Sequence, residues 1–373
     1  MRLFTALALA VLFSGCYATG SMNIPDDEDM DDMEMSMTMD PMDITTDAPK
    51  PSWAPGIDDQ MWAVVDQLMS YGNVPYPQLT GFQARQEKTP ANAVMDLLHR
   101  NGVPPMEPTV TVKHQVIPVS TPQGVIVRMY TPVGASGRLP VIVYTHGGGW
   151  VIADLDTYEG GAVALATKAN AIVVSVGYRQ APEHRYPAAH DDVFGVYRWV
   201  TQNAASIGGD PARIALAGES AGGNLAVATA IRARDEGVQM PVAIVSVYPI
   251  ADGDVQSPSY DRYANAAPLN RGGMEWFFDN YVPEWRTRDY PWVNLTSADL
   301  SGLPPTTIVN AQIDPLESEG GELADALEAA GVDVERELYM GVTHEFFGMG
   351  AILEQAVAAQ DFAAERLRDA FGM

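Results

Sequence analysis

Short apolar runs alternate with stretches of helical period along most of the chain. Met61 to Met69 (MWAVVDQLM) and Ala91 to His99 space their apolar residues three and four apart, as a helix with one buried face does. Pro104, Pro105 and Pro108 then break the chain. Val110 to Val119 and Val125 to Tyr130 have strand character, and Gln123-Gly124 between them predicts a hairpin. Further strand-like runs are Val141 to Tyr144, Ala171 to Val176, Ile214 to Ala217, Val242 to Tyr248, Thr306 to Ala311 and Val334 to Leu338. Helical stretches lie between most of them, at 159–168, 189–204, 221–235 and 317–330, and a last helix is predicted from Ile352 to Ala370. Apolar strands separated by helices predict the α/β class, a mostly parallel sheet with helices on both faces. Residues 253–300 break the rhythm with Pro, Gly and aromatics (Tyr260, Trp276, Phe277, Phe278, Tyr281, Trp285) and read as an excursion from the sheet.

The first 55 residues follow other rules. Arg2 precedes an apolar run, Leu3 to Phe13, that is too short to span a bilayer. Ser14, Gly15 and Cys16 follow, and Cys16 is the only cysteine. A lone cysteine in that place resembles a bacterial lipoprotein signal, in which the thiol is lipidated and the residues before it are removed. The alternative is an ordinary secretory peptide cut after Gly15. Residues 1–15 are thus expected to be a signal peptide and the mature protein to be exported. Its only membrane attachment would be a lipid at Cys16 in the bacterial cell envelope; otherwise it is secreted or periplasmic. Residues 21–50 hold ten acidic residues, seven methionines, one base (Lys50) and no aromatics. Mutual repulsion extends such a segment, so 16–55 reads as a disordered acidic, Met-rich tether. Its thioethers also suit a soft metal such as Cu(I), but hard carboxylates are at least as frequent, which favours the tether.

Composition narrows the remaining classes. With 373 residues, 47% of them hydrophobic, the chain can build a sizeable core. Acidic residues outnumber basic ones 48 to 22 for a net charge of −26, and residues 51–373 alone hold 38 against 20. No basic face exists for nucleic acid. One cysteine excludes a disulfide framework and a Cys-cluster zinc site.

The chemistry sits at the ends of the predicted strands. The run Ile214 to Ala217 ends in Gly218-Glu219-Ser220-Ala221-Gly222-Gly223, with a helical pattern directly after. Strand, G-x-S-x-G, helix is a context that exposes a serine hydroxyl on a tight turn. Gly218 and Gly222 leave room for the turn, and the helix N-terminus favours developing negative charge. Val141 to Tyr144 ends in Thr145-His146-Gly147-Gly148-Gly149-Trp150, whose glycines leave backbone N–H groups open to an oxyanion. A serine nucleophile needs a base, and the base needs an orienting acid. Of His99, His114, His146, His184, His190 and His344, only His344 follows Ser220, as the chain order Ser, acid, His requires. Asp314 ends the run from Thr306 and is the preferred acid, with Asp252 and Asp254 as rivals.

Together these motifs resemble the hormone-sensitive-lipase-like group of the α/β-hydrolase superfamily, the bacterial family IV carboxylesterases. The resemblance covers residues 56–373 and includes Tyr178-Arg179-Gln180-Ala181-Pro182-Glu183-His184, Pro187-Ala188-Ala189, Asp314-Pro315-Leu316 and His344-Glu345-Phe346. It implies an α/β-hydrolase fold with N-terminal cap helices in 56–110 and a catalytic domain in 111–373, the 253–300 excursion completing a small helical cap. It implies Ser220 as nucleophile, His344 as general base and acid, Asp314 as its orienter, and an oxyanion hole from Gly148, Gly149 and Ala221. His146, Gly147, Gly218 and Gly222 would support the motifs, and Arg179, Glu183 and His184 would hold loops. The implied reaction is hydrolysis of small-molecule esters of short to medium acyl chain, with no metal and no organic cofactor. Amide, lactone or carbamate cleavage on the same triad is the alternative; a non-catalytic binding protein or a surface metal-binding lipoprotein is a remoter one. The oligomeric state stays open, a dimer included. Glu219, Ser318 and Glu345 depart from the commonest family pattern of Asp, Asp and Gly.

Overall fold

The computed structural model describes residues 43–282, 284–286 and 289–373. The expected signal peptide, Cys16 and the tether up to residue 42 lie outside the described residues.

The described chain opens with α1 (Asp59–Ser70), α2 (Gly81–Ala84) and α3 (Pro90–Arg100). A β-hairpin follows, β1 (Val110–Ile117) and β2 (Val125–Pro132), then β3 (Leu139–Thr145), α4 (Glu159–Lys168), β4 (Ile172–Gly177) and α5 (Ala188–Asn203). Next come β5 (Gly209–Glu219), α6 (Ala221–Asp235), β6 (Ile244–Val247), α7 (Pro258–Arg262) and α8 (Arg271–Tyr281). The chain closes with β7 (Thr306–Ile313), α9 (Glu317–Ala329), β8 (Val334–Thr343) and α10 (Glu354–Phe371). The eight strands form one sheet in the order β1-β2-β4-β3-β5-β6-β7-β8. β1 pairs β2, and β2 pairs β4, antiparallel; every later pairing is parallel.

The sequence pattern explains the layers. β3 is buried over its whole length. Alternate residues point to opposite faces. Val141 and Val143 join Leu216, Val193 of α5, Leu225 of α6 and Leu323 of α9 in one core. Ile142 and Tyr144 join Leu165 of α4, Ala363 of α10 and Trp62 of α1 in the other. β4 lies on one side of β3 and β5 on the other, so the chain reverses its direction of travel at β3. The carboxyl ends of β3 and β5 therefore flank the crevice where such sheets hold their sites.

Three boundaries differ from expectation by five residues or more. The tether was expected to run to residue 55, but Ile44 is 1% exposed and Ala54 is buried. Thr46 Oγ1 donates to Asp66 Oδ2 at 2.9 Å, and Trp62 Nε1 donates to Ala48 O at 2.8 Å. Ile44 and Ala54, with partly buried Ala48 and Trp53, and a few specific bonds hold this segment, too irregular a pattern to read as an element. β5 starts at Gly209, five residues before the apolar run, because Gly209 pairs with Leu139. β8 runs on to Thr343, past a bulge at residues 340–342 opposite Gln312 of β7, whose side chain accepts from Gly341 N at 2.8 Å.

The 253–300 excursion carries α7 and α8. Tyr76, just before α2, stacks on Trp276 of α8 at 5.5 Å, and Trp276 Nε1 donates to Leu79 O at 3.1 Å. The two segments, far apart in sequence, thus pack on each other.

Candidate active site

Ser220 sits between β5 and α6 with φ 58° and ψ −120°, a positive-φ conformation that a non-glycine residue adopts only when its surroundings hold it there. The flanking glycines show what holds it. A Cβ on Gly218 would lie 2.2 Å from Gly222 O, and one on Gly222 would lie 2.0 Å from Thr145 O. The turn is packed backbone to backbone against the end of β3, so only glycine fits on either side. Ser220 N donates to Val247 O at 2.8 Å, which ties the turn to β6 as well.

Asp314 and His344 reach this serine from two further strand ends. Asp314 follows β7 and is wholly buried; its Oδ1 accepts from Leu316 N at 2.9 Å. His344 follows β8. Its Nδ1 lies 2.7 Å from Asp314 Oδ2 and its Nε2 lies 2.9 Å from Ser220 Oγ. The imidazole also packs on the ring of Tyr248, 4.6 Å away. Burial alone would lower the His344 pKa; the charge and hydrogen bond of Asp314, helped by Glu345 and Glu219, outweigh it and raise the value above 6.5. The rival acids lie elsewhere. Asp252 accepts from Thr296 Oγ1 at 2.5 Å, and Asp254 accepts from Gln256 N at 2.9 Å.

The glycine loop after β3 faces Ser220 across a cavity that both line, together with His344. Gly148 and Gly149 have φ of 89° and 57°. A Cβ on Gly149 would lie 2.2 Å from the Phe277 ring. Among the described residues, no protein acceptor meets the N–H groups of Gly148, Gly149 or Ala221, the first residue of α6. His146 does not approach Ser220. Its ring stacks on Tyr178 at 4.2 Å, and burial lowers its pKa to about 4. Tyr178 in turn donates to His146 O and Gly147 O at 2.9 and 3.0 Å, which fixes the loop. Arg179 and Glu183 hold neighbouring segments: Arg179 forks onto buried Asp192 at 2.8 Å, and Glu183 pairs with Arg85 at 2.6 Å.

Two carboxyls near the serine carry contacts that sequence alone did not suggest. Glu219 is 1% exposed and accepts hydrogen bonds from the hydroxyls of Tyr144 and Tyr248. Burial pushes its pKa up to about 8 against the opposing pull of the two tyrosines. Glu345 accepts from Tyr158 OH. Tyr144 and Tyr248 stand at or just past strand carboxyl ends, which was the one available signal. Ser318, the third departure, exchanges 3.1 Å hydrogen bonds with Ser259 and joins α9 to α7.

Comparison with known proteins agrees with this architecture. A family model described as the alpha/beta hydrolase fold matches residues 142–348. The carboxylesterase NlhH of Mycobacterium tuberculosis is 41% identical over 260 residues, 69% of this chain and 82% of that one. Ethyl acetate hydrolase of Pseudomonas putida is 37% identical over 62% of this chain and 74% of its own. A solved thermostable esterase from Pseudomonas putida superposes with a TM-score of 0.76 at 30% identity, covering 85% of this chain and 98% of that one. An esterase of Pyrobaculum calidifontis gives 0.73 at 33% identity, covering 81% and 97%. Sheet order, serine turn and family match coincide on the same strands: the chain belongs to the α/β-hydrolase fold family, as its resemblance to the hormone-sensitive-lipase-like group implied.

Proposed function

We propose that the protein is a serine carboxylesterase that cleaves small esters of short to medium acyl chain through a covalent acyl-enzyme. The observation that carries this reading is the unbroken line Asp314–His344–Ser220, at 2.7 and 2.9 Å, facing the unpaired N–H groups of a glycine loop. Esterase relatives at 37% to 41% identity support the same bond class.

In this reading the neutral imidazole of His344 takes the Ser220 proton as Oγ attacks the ester carbonyl. Asp314 holds the imidazole with Nε2 toward the serine and stabilises the imidazolium that forms. The raised His344 pKa has the sign this step needs, since it reports an imidazolium favoured by its surroundings. The N–H groups of Gly148, Gly149 and Ala221 receive the oxyanion, each worth about 3 kcal/mol in comparable sites. His344 then gives its proton to the leaving alcohol, and water repeats the cycle on the acyl-enzyme.

The test is hydrolysis of p-nitrophenyl esters from acetate upward by the parent and by Ser220→Ala. The variant should lose at least about a thousandfold in kcat/KM, or about 4 kcal/mol of transition-state stabilisation. A variant as active as the parent would mean a different nucleophile. The leader pattern supports a second part of the proposal, that Cys16 carries a lipid and tethers the enzyme to a membrane of the cell envelope.

A further inference from the structure

The mechanism above gives Glu345 no step. It follows His344 directly, with φ 74°. It lines the same cavity as Ser220 and His344. One carboxyl oxygen accepts from Tyr158 OH; among the described residues no protein donor meets the other. The residue is part-exposed and lines the cavity.

The charge around it is one-sided. The described residues lining the cavity include no lysine or arginine, and His344 is committed to Asp314 and Ser220. A carboxylate in such a site lacks a full counter-charge, and the low dielectric of a mostly apolar pocket strengthens its attraction for a cation. Burial raises the pKa of Glu345, while His344 and Tyr158 pull it down. A bound cation would favour the ionised form further. Tyr76, Tyr158 and Phe277 line the same space, and aromatic rings attract ammonium groups. The net charge of −26 adds a long-range field that draws cations and repels anions.

The chemistry also says which half of an ester lies toward His344. His344 must hand its proton to the departing oxygen, so the alcohol half lies on the His344 side of Ser220. Glu345 follows His344 in the chain and lines the same cavity.

We propose that Glu345 and the aromatic rings beside it form a subsite for a positively charged alcohol group, so that esters of amino alcohols or quaternary ammonium alcohols are the preferred substrates. The inference rests on the serine-esterase reading and deepens it. Glu345 is here a specificity-determining residue, and the bond cleaved and the water consumed are those of ordinary ester hydrolysis.

The test compares 2-(trimethylammonio)ethyl acetate with 3,3-dimethylbutyl acetate, which has the same shape and acyl group without the charge. For the full-length parent at low salt, kcat/KM should favour the cation at least tenfold, and the ratio should shrink as salt is added. In Glu345→Gln the ratio should fall at least tenfold; being a ratio, it cancels any general loss of activity. A parent ratio near one, or a ratio kept in Glu345→Gln, overturns the subsite. If the variant does not fold, the parent alone decides: choline should inhibit p-nitrophenyl acetate hydrolysis at least tenfold more strongly than 3,3-dimethylbutanol, and equal inhibition overturns the proposal. Ser220-dependent hydrolysis of p-nitrophenyl acetate with no cation preference would leave the esterase reading standing and remove the subsite. No hydrolysis of any ester would remove both.

Discussion

Glu219 shows what a single buried carboxyl does beside a reactive serine. Its pKa of about 8 stands well above the ordinary 4.5 because burial penalises the charged form more than Tyr144 and Tyr248 relieve it. The native state therefore holds a proton that the unfolded chain releases above pH 4.5. Stability from this group is complete below pH 4.5 and is lost as pH rises toward 8, by at most about 1.4 kcal/mol per pH unit. Glu219→Gln should flatten that slope. Measured by urea unfolding between pH 5 and 8, the parent should lose more stability than the variant. His344 and Glu345, both also raised, are coupled to Glu219 and change with it in the same direction, so the sign of the difference, not its size, reports Glu219. Equal slopes would show that Glu219 is not protonated in the native state. None of this was readable from Gly218-Glu219-Ser220 alone, since no local spacing brings two tyrosine hydroxyls from β3 and the end of β6 onto one side chain.

At the scale of elements, periodicity located most of the helices and strands because the central ones bury apolar stripes, as β3 does along its whole length. The serine turn was legible for a related reason: Gly-x-Ser-x-Gly after a buried strand leaves few ways to continue into a helix. Residues 43–55 were not legible, because they pack without regular structure. Ile44 at 1% exposure is their principal apolar anchor, in the same cluster as Trp62 of α1. Ile44→Ala should cost about 2 to 3 kcal/mol, as buried Ile-to-Ala changes do at the lower end of their range. Urea unfolding would check it, and a change below 0.5 kcal/mol, taken as roughly the ordinary surface effect, would mean that this segment does not belong to the cooperative fold.

For the whole molecule, the acidic balance and the leader pattern bear on where the protein works. Cys16→Ser should abolish palmitate labelling in a bacterial host and move the protein from membrane to soluble fractions; labelling that persists would sink the anchor at Cys16. The sequence by itself determined the α/β class, the serine turn, the glycine loop and the sole histidine downstream, because strand periodicity and tight-turn chemistry are local and leave local traces. Only the tertiary structure decided which acid meets His344, that Tyr158 bonds Glu345, and that α8 and the segment before α2 close over one cavity. Those contacts join residues far apart in sequence at the carboxyl edge of one sheet. Their distances come from strand order and register, which depend on how the whole chain packs.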